Sequence, residues 1–164
     1  MKLTRKKLRQ LIIEAIRQTE PGYHISYPPD TKAMKLNYTA LVLDPQSQQI
    51  LAQHTPPGWK PVSHHMTMIA PTHQKGSRLP EQYLNQPATI VISGIVGDDR
   101  VMAGVVDELQ SDNLPIKGPN FPHVTICTNP ATKGKPFHSN QLDPSMAQPI
   151  QPIVLTGTIQ EILR

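Results

Sequence analysis

The chain has 164 residues and a formal net charge of +4, with 37% hydrophobic and 17% charged residues, an ordinary composition for one globular domain or for two small lobes that share a core. Its single cysteine excludes an internal disulfide framework and a cysteine-rich zinc site, and its 18 prolines interrupt regular structure often enough to disfavour a helical bundle. No apolar stretch approaches the roughly 20 residues that a membrane span needs, so the sequence predicts a soluble cytoplasmic protein.

The first 35 residues differ in character from the rest of the chain. Apolar residues recur at three- and four-residue spacing between residues 3 and 17, which predicts an amphipathic helix with a basic opposite face. Pro21-Gly22 ends this helix, and an irregular connector follows it. The chain is therefore divided into an N-terminal helix and connector, residues 1–35, and a main domain, residues 36–164. The helix either packs on the main domain or serves as an arm for a nucleic acid or a partner.

The main domain is predicted to consist mostly of short strands. Tyr38–Leu43 is apolar and β-branched, and Asp44-Pro45 after it is typical of a helix start, so a short helix through Leu51 is expected. Gly97-Asp98-Asp99 has the composition of a turn between two further strands. Two to three short helices and about six strands indicate an α+β fold with antiparallel sheets. The other strands are predicted at His64–Ile69, Ala88–Val96, Val101–Val106, His123–Thr128 and Ile153–Ile162.

Two of these strands carry the same polar pattern. One contains His65 and Thr67, and the other contains His123 and Thr125. Because successive side chains of a strand point to opposite faces, each histidine shares a face with its threonine, and His64 is expected on the other face. An apolar strand precedes each pair, and this duplication predicts a two-lobed, pseudo-symmetric arrangement with both pairs in a central cleft. Alternatively, the two pairs are ordinary half-exposed strand residues.

Paired histidines suit the hydrolysis of a phosphodiester. Histidine titrates near neutral pH, so one neutral imidazole can act as a base while a second, protonated imidazole acts as an acid. A threonine hydroxyl nearby can donate a hydrogen bond to a non-bridging phosphate oxygen. None of the seven histidines shows the helical spacing of metal ligands. No metal and no other cofactor is therefore expected.

The doubled motif resembles that of the 2H phosphoesterase superfamily, which has two His-x-Ser/Thr motifs in a bilobed α+β fold. Its members include RNA 2′,3′-cyclic phosphodiesterases and the cyclic phosphodiesterase domain of tRNA ligases. The similarity covers roughly residues 36–162, and it implies that His65, Thr67, His123 and Thr125 are the catalytic set of a metal-independent phosphodiesterase. It also implies that His123 activates the attacking water and His65 protonates the leaving oxygen. The sequence alone does not determine which histidine is the base and which is the acid.

The resemblance implies a nucleotide phosphodiester as the substrate, with a 2′,3′-cyclic phosphate of RNA or of a small nucleotide as the first expectation. The alternatives are a 3′,5′-linked cyclic di- or trinucleotide, as in phage enzymes of the superfamily, and a catalytically silent module that binds nucleotides or RNA. No membrane partner is expected, and the oligomeric state is left open.

Three further residues near the motifs are candidates for substrate binding. Lys117 on a glycine-proline loop is a candidate phosphate contact, Trp59 a candidate for stacking on a base, and Tyr38 a candidate cleft residue. Each has a plain alternative. Lys117 is otherwise a solvated loop lysine, Trp59 a ring that covers the edge of the core, and Tyr38 a packed tyrosine.

Overall fold

The computed structural model describes residues 36–69, 79, 81–110 and 119–163. The predicted N-terminal helix and Lys117 lie outside these residues. Within them the chain forms seven strands, one α-helix and three short 3-10 helices, and none of these helices is long and apolar enough to cross a membrane. The strands are β1 Leu36–Leu43, β2 Lys60–Pro61, β3 His65–Ile69, β4 Pro87–Gly97, β5 Val101–Gln110, β6 His123–Thr128 and β7 Gln148–Leu163; the α-helix α1 is Pro45–Ala52; the 3-10 helices are η1 Glu81–Tyr83, η2 Pro136–Gln141 and η3 Pro144–Met146.

The strands form one antiparallel sheet that closes into a barrel. The strand order is β2-β6-β3-β1-β7-β4-β5, and β5 pairs in turn with β6. Because β5 occupies one edge of β6 along its length, β2 and β3 share the other edge, where Lys60 pairs with Thr128 and Met66 pairs with Val124. The predicted antiparallel sheet is confirmed, and few helices accompany it. The two-lobed, pseudo-symmetric division stays a prediction.

One large cluster of buried apolar side chains, the main cluster, stabilises the barrel. Burial alternates along the whole of β4, as expected for a strand with one face inward. Full burial of a large apolar side chain contributes about 1.5–3 kcal/mol. Cys127 is fully buried in the main cluster, where it packs as a small core residue. The largest members, each no more than 2% exposed, are Leu41, Leu43, Leu51, Met66, Met68, Ile90, Ile92, Val124, Ile126, Leu155 and Ile159.

A smaller apolar cluster lies where η2 packs on β5 and β6. It consists of Val96, Val101, Ala103, Phe121 and Leu142. Phe121 comes two residues before β6, and Leu142 comes directly after η2. The cluster therefore holds η2 beside the start of β6, the strand that carries the second His-x-Thr motif.

The starts of helix α1 and strand β7 can be explained by the residues at these positions. Helix α1 begins where predicted, because the Asp44 carboxylate accepts a hydrogen bond from the Ser47 backbone N–H at 2.8 Å and Pro45 occupies the first helical position. Strand β7 begins at Gln148, well before the predicted start. Its prolines have no N–H to donate, but Pro149 lies opposite Gly94, where the pairing with β4 shifts register and regular hydrogen bonding is interrupted.

Candidate active site

The two His-x-Thr strands, β3 and β6, are antiparallel neighbours. Met66 and Val124 are Cα partners across them. Antiparallel strands run in opposite directions from such a pair, so His65 lies across from Thr125 and Thr67 lies across from His123. Met66 and Val124 face the main cluster, and the four motif side chains therefore share the other face. The structure thus brings the four predicted catalytic residues together.

The first histidine, His65, is half-buried between two other rings. Tyr38 stacks on it, with ring centroids 5.1 Å apart and an angle of 23° between the ring planes. The Nδ1 atom of His64 lies 3.2 Å from the Nδ1 atom of His65. These contacts leave Nε2 as the nitrogen of His65 that is available to a substrate. The structure therefore places Tyr38 against a motif histidine, and a contact between Tyr38 and the substrate stays a prediction.

His64 lies against His65. Strand alternation predicted instead that His64 would lie on the opposite face of the sheet. The expectation was wrong because β3 begins only at His65, and Ser63, two residues earlier, has a positive φ of 35°. The strand period therefore does not extend back to His64. Burial, followed by the nearby charges of His64 and His123, lowers the pKa of His65 from 6.5 to about 4. His65 is accordingly neutral at pH 7 when no ligand is bound.

The second histidine, His123, is 6% exposed, and both of its ring nitrogens have partners. Its Nδ1 atom lies 2.9 Å from the Phe121 carbonyl oxygen, and its Nε2 atom lies 2.9 Å from Ser139 Oγ. A carbonyl oxygen only accepts hydrogen bonds, so Nδ1 carries a proton and donates it. Burial lowers the pKa of His123, while the hydrogen bond to Phe121 acts in the opposite direction.

Ser139 is a site residue that the sequence did not indicate. It is 2% exposed, and its Oγ atom lies 2.9 Å from Thr125 Oγ1 as well as 2.9 Å from His123 Nε2. The hydroxyl also donates a hydrogen bond to the Pro136 carbonyl oxygen at 2.6 Å. Ser139 belongs to η2, in a proline-rich stretch with no hydrophobic period. Only the packing of η2 on β5 and β6 brings it to the motif.

Helix η2 is attached to the barrel through the residues that follow Ser139. Asn120 Nδ2 donates a hydrogen bond to the Asn140 carbonyl oxygen at 3.2 Å. Arg100 Nη1 donates one to Gln141 Oε1 at 3.4 Å. These contacts and the burial of Leu142 fix η2 on the barrel and so hold Ser139 beside the motif.

The structure does not bring the predicted stacking residue Trp59 to the motif. Trp59 is partly buried and packs against the main cluster. It precedes β2, which pairs with the Cys127–Thr128 end of β6, whereas His123 begins that strand. Stacking of Trp59 on a base of the substrate therefore stays a prediction.

The arrangement provides two imidazoles and two hydroxyls on one face of the sheet. Imidazoles can accept or donate a proton near neutral pH, and threonine hydroxyls can donate hydrogen bonds to phosphate oxygens. Among the described residues, no group of three or more histidine, cysteine, aspartate or glutamate side chains could hold a metal ion. Two His-Thr pairs on neighbouring strands of an antiparallel barrel define a candidate phosphodiesterase site.

Comparison with known proteins identifies the family. The chain matches the family model of the fungal tRNA ligase phosphodiesterase domain over residues 24–150, which is more than half of its 164 residues. The chain therefore belongs to this family, and it is a phosphodiesterase, a hydrolase that acts on phosphoric diester bonds. No curated protein matches the chain.

One solved structure, described as the crystal structure of a fungal RNA kinase, is also similar to the chain. The sequence identity is 13% and the TM-score is 0.45. The aligned region covers 96% of this chain and 49% of that chain. This chain therefore spans about half the length of that protein.

Proposed function

We propose that the chain hydrolyses a 2′,3′-cyclic phosphate at an RNA end or on a small nucleotide, without a metal ion, by proton transfers at His65 and His123. The observation that carries this proposal is the pairing of Met66 with Val124. This register gives each histidine a threonine directly across the neighbouring strand as well as one on its own strand. A phosphate bound on this face would meet two imidazoles and two hydroxyls.

The lowered pKa values of the two histidines are compatible with this chemistry. In the ligand-free chain, burial disfavours the charged form of both rings. A bound phosphodiester carries a negative charge, and an opposite charge within about 4–6 Å of an imidazole favours its protonated form. Substrate binding would therefore help to supply the proton that the general acid needs. The Thr67 and Thr125 hydroxyls would orient the phosphate oxygens.

The choice of substrate rests on the family and on the doubled motif. The family is described as a phosphodiesterase domain of tRNA ligases, which supports an RNA substrate. The resemblance to 2H phosphoesterases supports a cyclic phosphate at the reacting centre. Tyr38 is proposed to hold the His65 ring in place, because the two rings are stacked.

A substrate panel tests the proposal directly. The full chain is incubated with EDTA and with 2′,3′-cyclic nucleotides, an RNA ending in a 2′,3′-cyclic phosphate, and 3′,5′-linked cyclic dinucleotides and trinucleotides. Products are identified by mass. Conversion of the 2′,3′-cyclic ends to monophosphates supports the proposal. Preferential cleavage of the cyclic oligonucleotides would replace it with the alternative substrate class, and binding without turnover would indicate a silent binding module.

A further inference from the structure

Phe137 is an exposed aromatic residue on η2, the 3-10 helix that also carries Ser139. It is 55% exposed, whereas the other phenylalanine, tyrosine and tryptophan side chains that the structure describes are buried or half-buried. A single exposed apolar residue is common on protein surfaces, so exposure alone assigns no role to Phe137. Its position is more informative. Ser139 contacts His123 and Thr125 at 2.9 Å each, and Phe137 precedes Ser139 by two residues, about 4 Å along the axis of a 3-10 helix.

The Phe137 ring is held in place although it is exposed. It packs against the ring of His138, with ring centroids 4.4 Å apart and an angle of 66° between the ring planes. The Nδ1 atom of His138 in turn accepts a hydrogen bond from the Lys135 backbone N–H at 3.2 Å. An aromatic side chain that is fixed before binding loses little conformational freedom when a ligand arrives. Phe137 therefore offers a pre-organised apolar surface beside the site.

The segment that leads into η2 is basic. Lys133 and Lys135 are both exposed, and the sequence has no aspartate or glutamate between Asn129 and Leu142. Within the described part of the chain, neither lysine forms an ion pair. Lys135 precedes Ser139 by four residues, about 8 Å along a 3-10 helix axis. Two unpaired lysine charges beside a candidate phosphodiesterase site favour a ligand that brings more phosphates than the one that reacts.

The backbone that carries these lysines is fixed to the turn between β4 and β5. Thr132 Oγ1 donates a hydrogen bond to the Asp99 carbonyl oxygen at 2.8 Å. Gly134 lies so close to this turn that a Cβ on it would overlap the Arg100 carbonyl oxygen. The turn also contains acidic side chains, and Arg100 offsets part of their charge through an ion pair with Asp98 at 2.7 Å. The two lysines therefore project from a backbone that is held to the barrel.

We propose that Phe137 and Lys135 form a binding subsite for the RNA chain upstream of the reacting phosphate, with Phe137 stacking on a base and Lys135 contacting a backbone phosphate. This inference rests on the proposed function and deepens it, because such a subsite favours an RNA end over a mononucleotide. Every base has an aromatic face, so one exposed ring binds bases with little sequence preference. A 2′,3′-cyclic mononucleotide carries only the phosphate that reacts and therefore offers no second phosphate to Lys135.

Two substrates of different length test the subsite by turnover. The full chain is assayed with an RNA of about five nucleotides that ends in a 2′,3′-cyclic phosphate, and with a 2′,3′-cyclic mononucleotide. Phe137→Ala should raise KM for the RNA about five- to a hundredfold at unchanged kcat, and should leave KM for the mononucleotide unchanged. Phe137→Tyr keeps an aromatic face and should restore most of the loss. Met146, an apolar residue of η3 that is 68% exposed, supplies the matched control Met146→Ala, which should change neither value. Equal effects of Phe137→Ala on both substrates, or no effect on the RNA, would overturn the inference.

Binding of an RNA that is not turned over separates this inference from the proposed function. The same RNA, ending in a 3′-monophosphate and carrying a fluorophore at its 5′ end, is titrated with the full chain and followed by fluorescence polarisation. Phe137→Ala should raise Kd about five- to a hundredfold. Lys135→Gln should weaken binding and reduce the slope of log affinity against log salt by about 0.7, whereas Lys60→Gln at the exposed Lys60 of β2 should change neither.

The outcomes of the two experiments are distinct. RNA binding that depends on Phe137 and Lys135, in a protein that hydrolyses no cyclic phosphate, would keep the subsite and reject the proposed function. Failure of the unaltered protein to bind the RNA, or an unchanged Kd in both Phe137→Ala and Lys135→Gln, would overturn the subsite whatever the activity.

Discussion

Met66 on β3 and Val124 on β6 lie directly across from each other, and this pair sets the register that places His65 opposite Thr125. Both side chains are fully buried in the main cluster. Because strand side chains alternate with a period of two, a slip by one residue would turn the histidines into the core and expose the apolar residues. Packing of this pair therefore links the stability of the barrel to the geometry of the site.

Truncation of Met66 should destabilise the barrel strongly. Met66→Ala removes most of a fully buried side chain, and the free energy of unfolding should fall by about 2–5 kcal/mol, measured by urea denaturation. Val154→Ala on β7 is the control, since Val154 is 59% exposed and should change this free energy by less than about 0.5 kcal/mol. Equal losses in the two variants would contradict the role assigned to the Met66–Val124 pair.

Stability should also depend on pH through His65. The folded chain holds the pKa of His65 near 4, below the 6.5 of an unperturbed histidine. The unfolded chain therefore binds a proton first as the pH falls, so stability is complete above pH 6.5 and is lost toward pH 4. Between pH 7.5 and 4.5 the free energy of unfolding of the unaltered protein should fall by about 2–3 kcal/mol more than that of the His65→Gln variant. Equal losses in the two proteins would contradict this account of His65.

Much of the sheet and the four motif residues follow from local sequence. Burial with a period of two is a property of each strand by itself, so β1, β3 and β6 were predicted close to their observed bounds. Closure of the barrel by β5 and β6 is a long-range pairing, and no local pattern specifies it.

The missed parts of the site depend on irregular backbone. Ser139 reaches His123 only because η2 packs over the start of β6, and the residues around it contain prolines and no period. His64 was placed on the wrong face because the positive φ of Ser63 interrupts the extended backbone. Such irregular conformations depend on tertiary packing, which alternation within a strand does not indicate.

Removal of the motif hydroxyls should slow turnover without unfolding the protein. Thr67→Val and Thr125→Val each keep the side-chain shape but lose a donor to the phosphate, and kcat should fall about ten- to a thousandfold. Thr89, a half-buried threonine of β4, supplies the control variant Thr89→Val, which should retain full activity. If both motif variants kept the rate of the unaltered protein, Thr67 and Thr125 would be ordinary surface residues.

The pH profile of kcat/KM should be bell-shaped with an acidic optimum. This parameter reports the pKa values of the free enzyme. One limb should follow His65, with its pKa of about 4, and the other should follow His123, whose pKa lies below 6.5. The maximum is therefore expected between these values and should be unchanged by EDTA. A maximum above pH 7, or loss of activity in EDTA with recovery on adding a divalent ion, would contradict the proposed metal-free histidine mechanism.

The most direct measurement of the central claim is the turnover of a 2′,3′-cyclic phosphate in EDTA by His65→Ala, His123→Ala and the double variant. General acid–base catalysis by both rings predicts that each single variant loses about two to four orders of magnitude in kcat. The double variant should lose less than the sum of the two effects, because the histidines act as a unit. His54, an exposed histidine just beyond α1, is the matched control, and His54→Ala should retain full activity. Retention of most activity by either His65→Ala or His123→Ala would contradict the two-histidine mechanism.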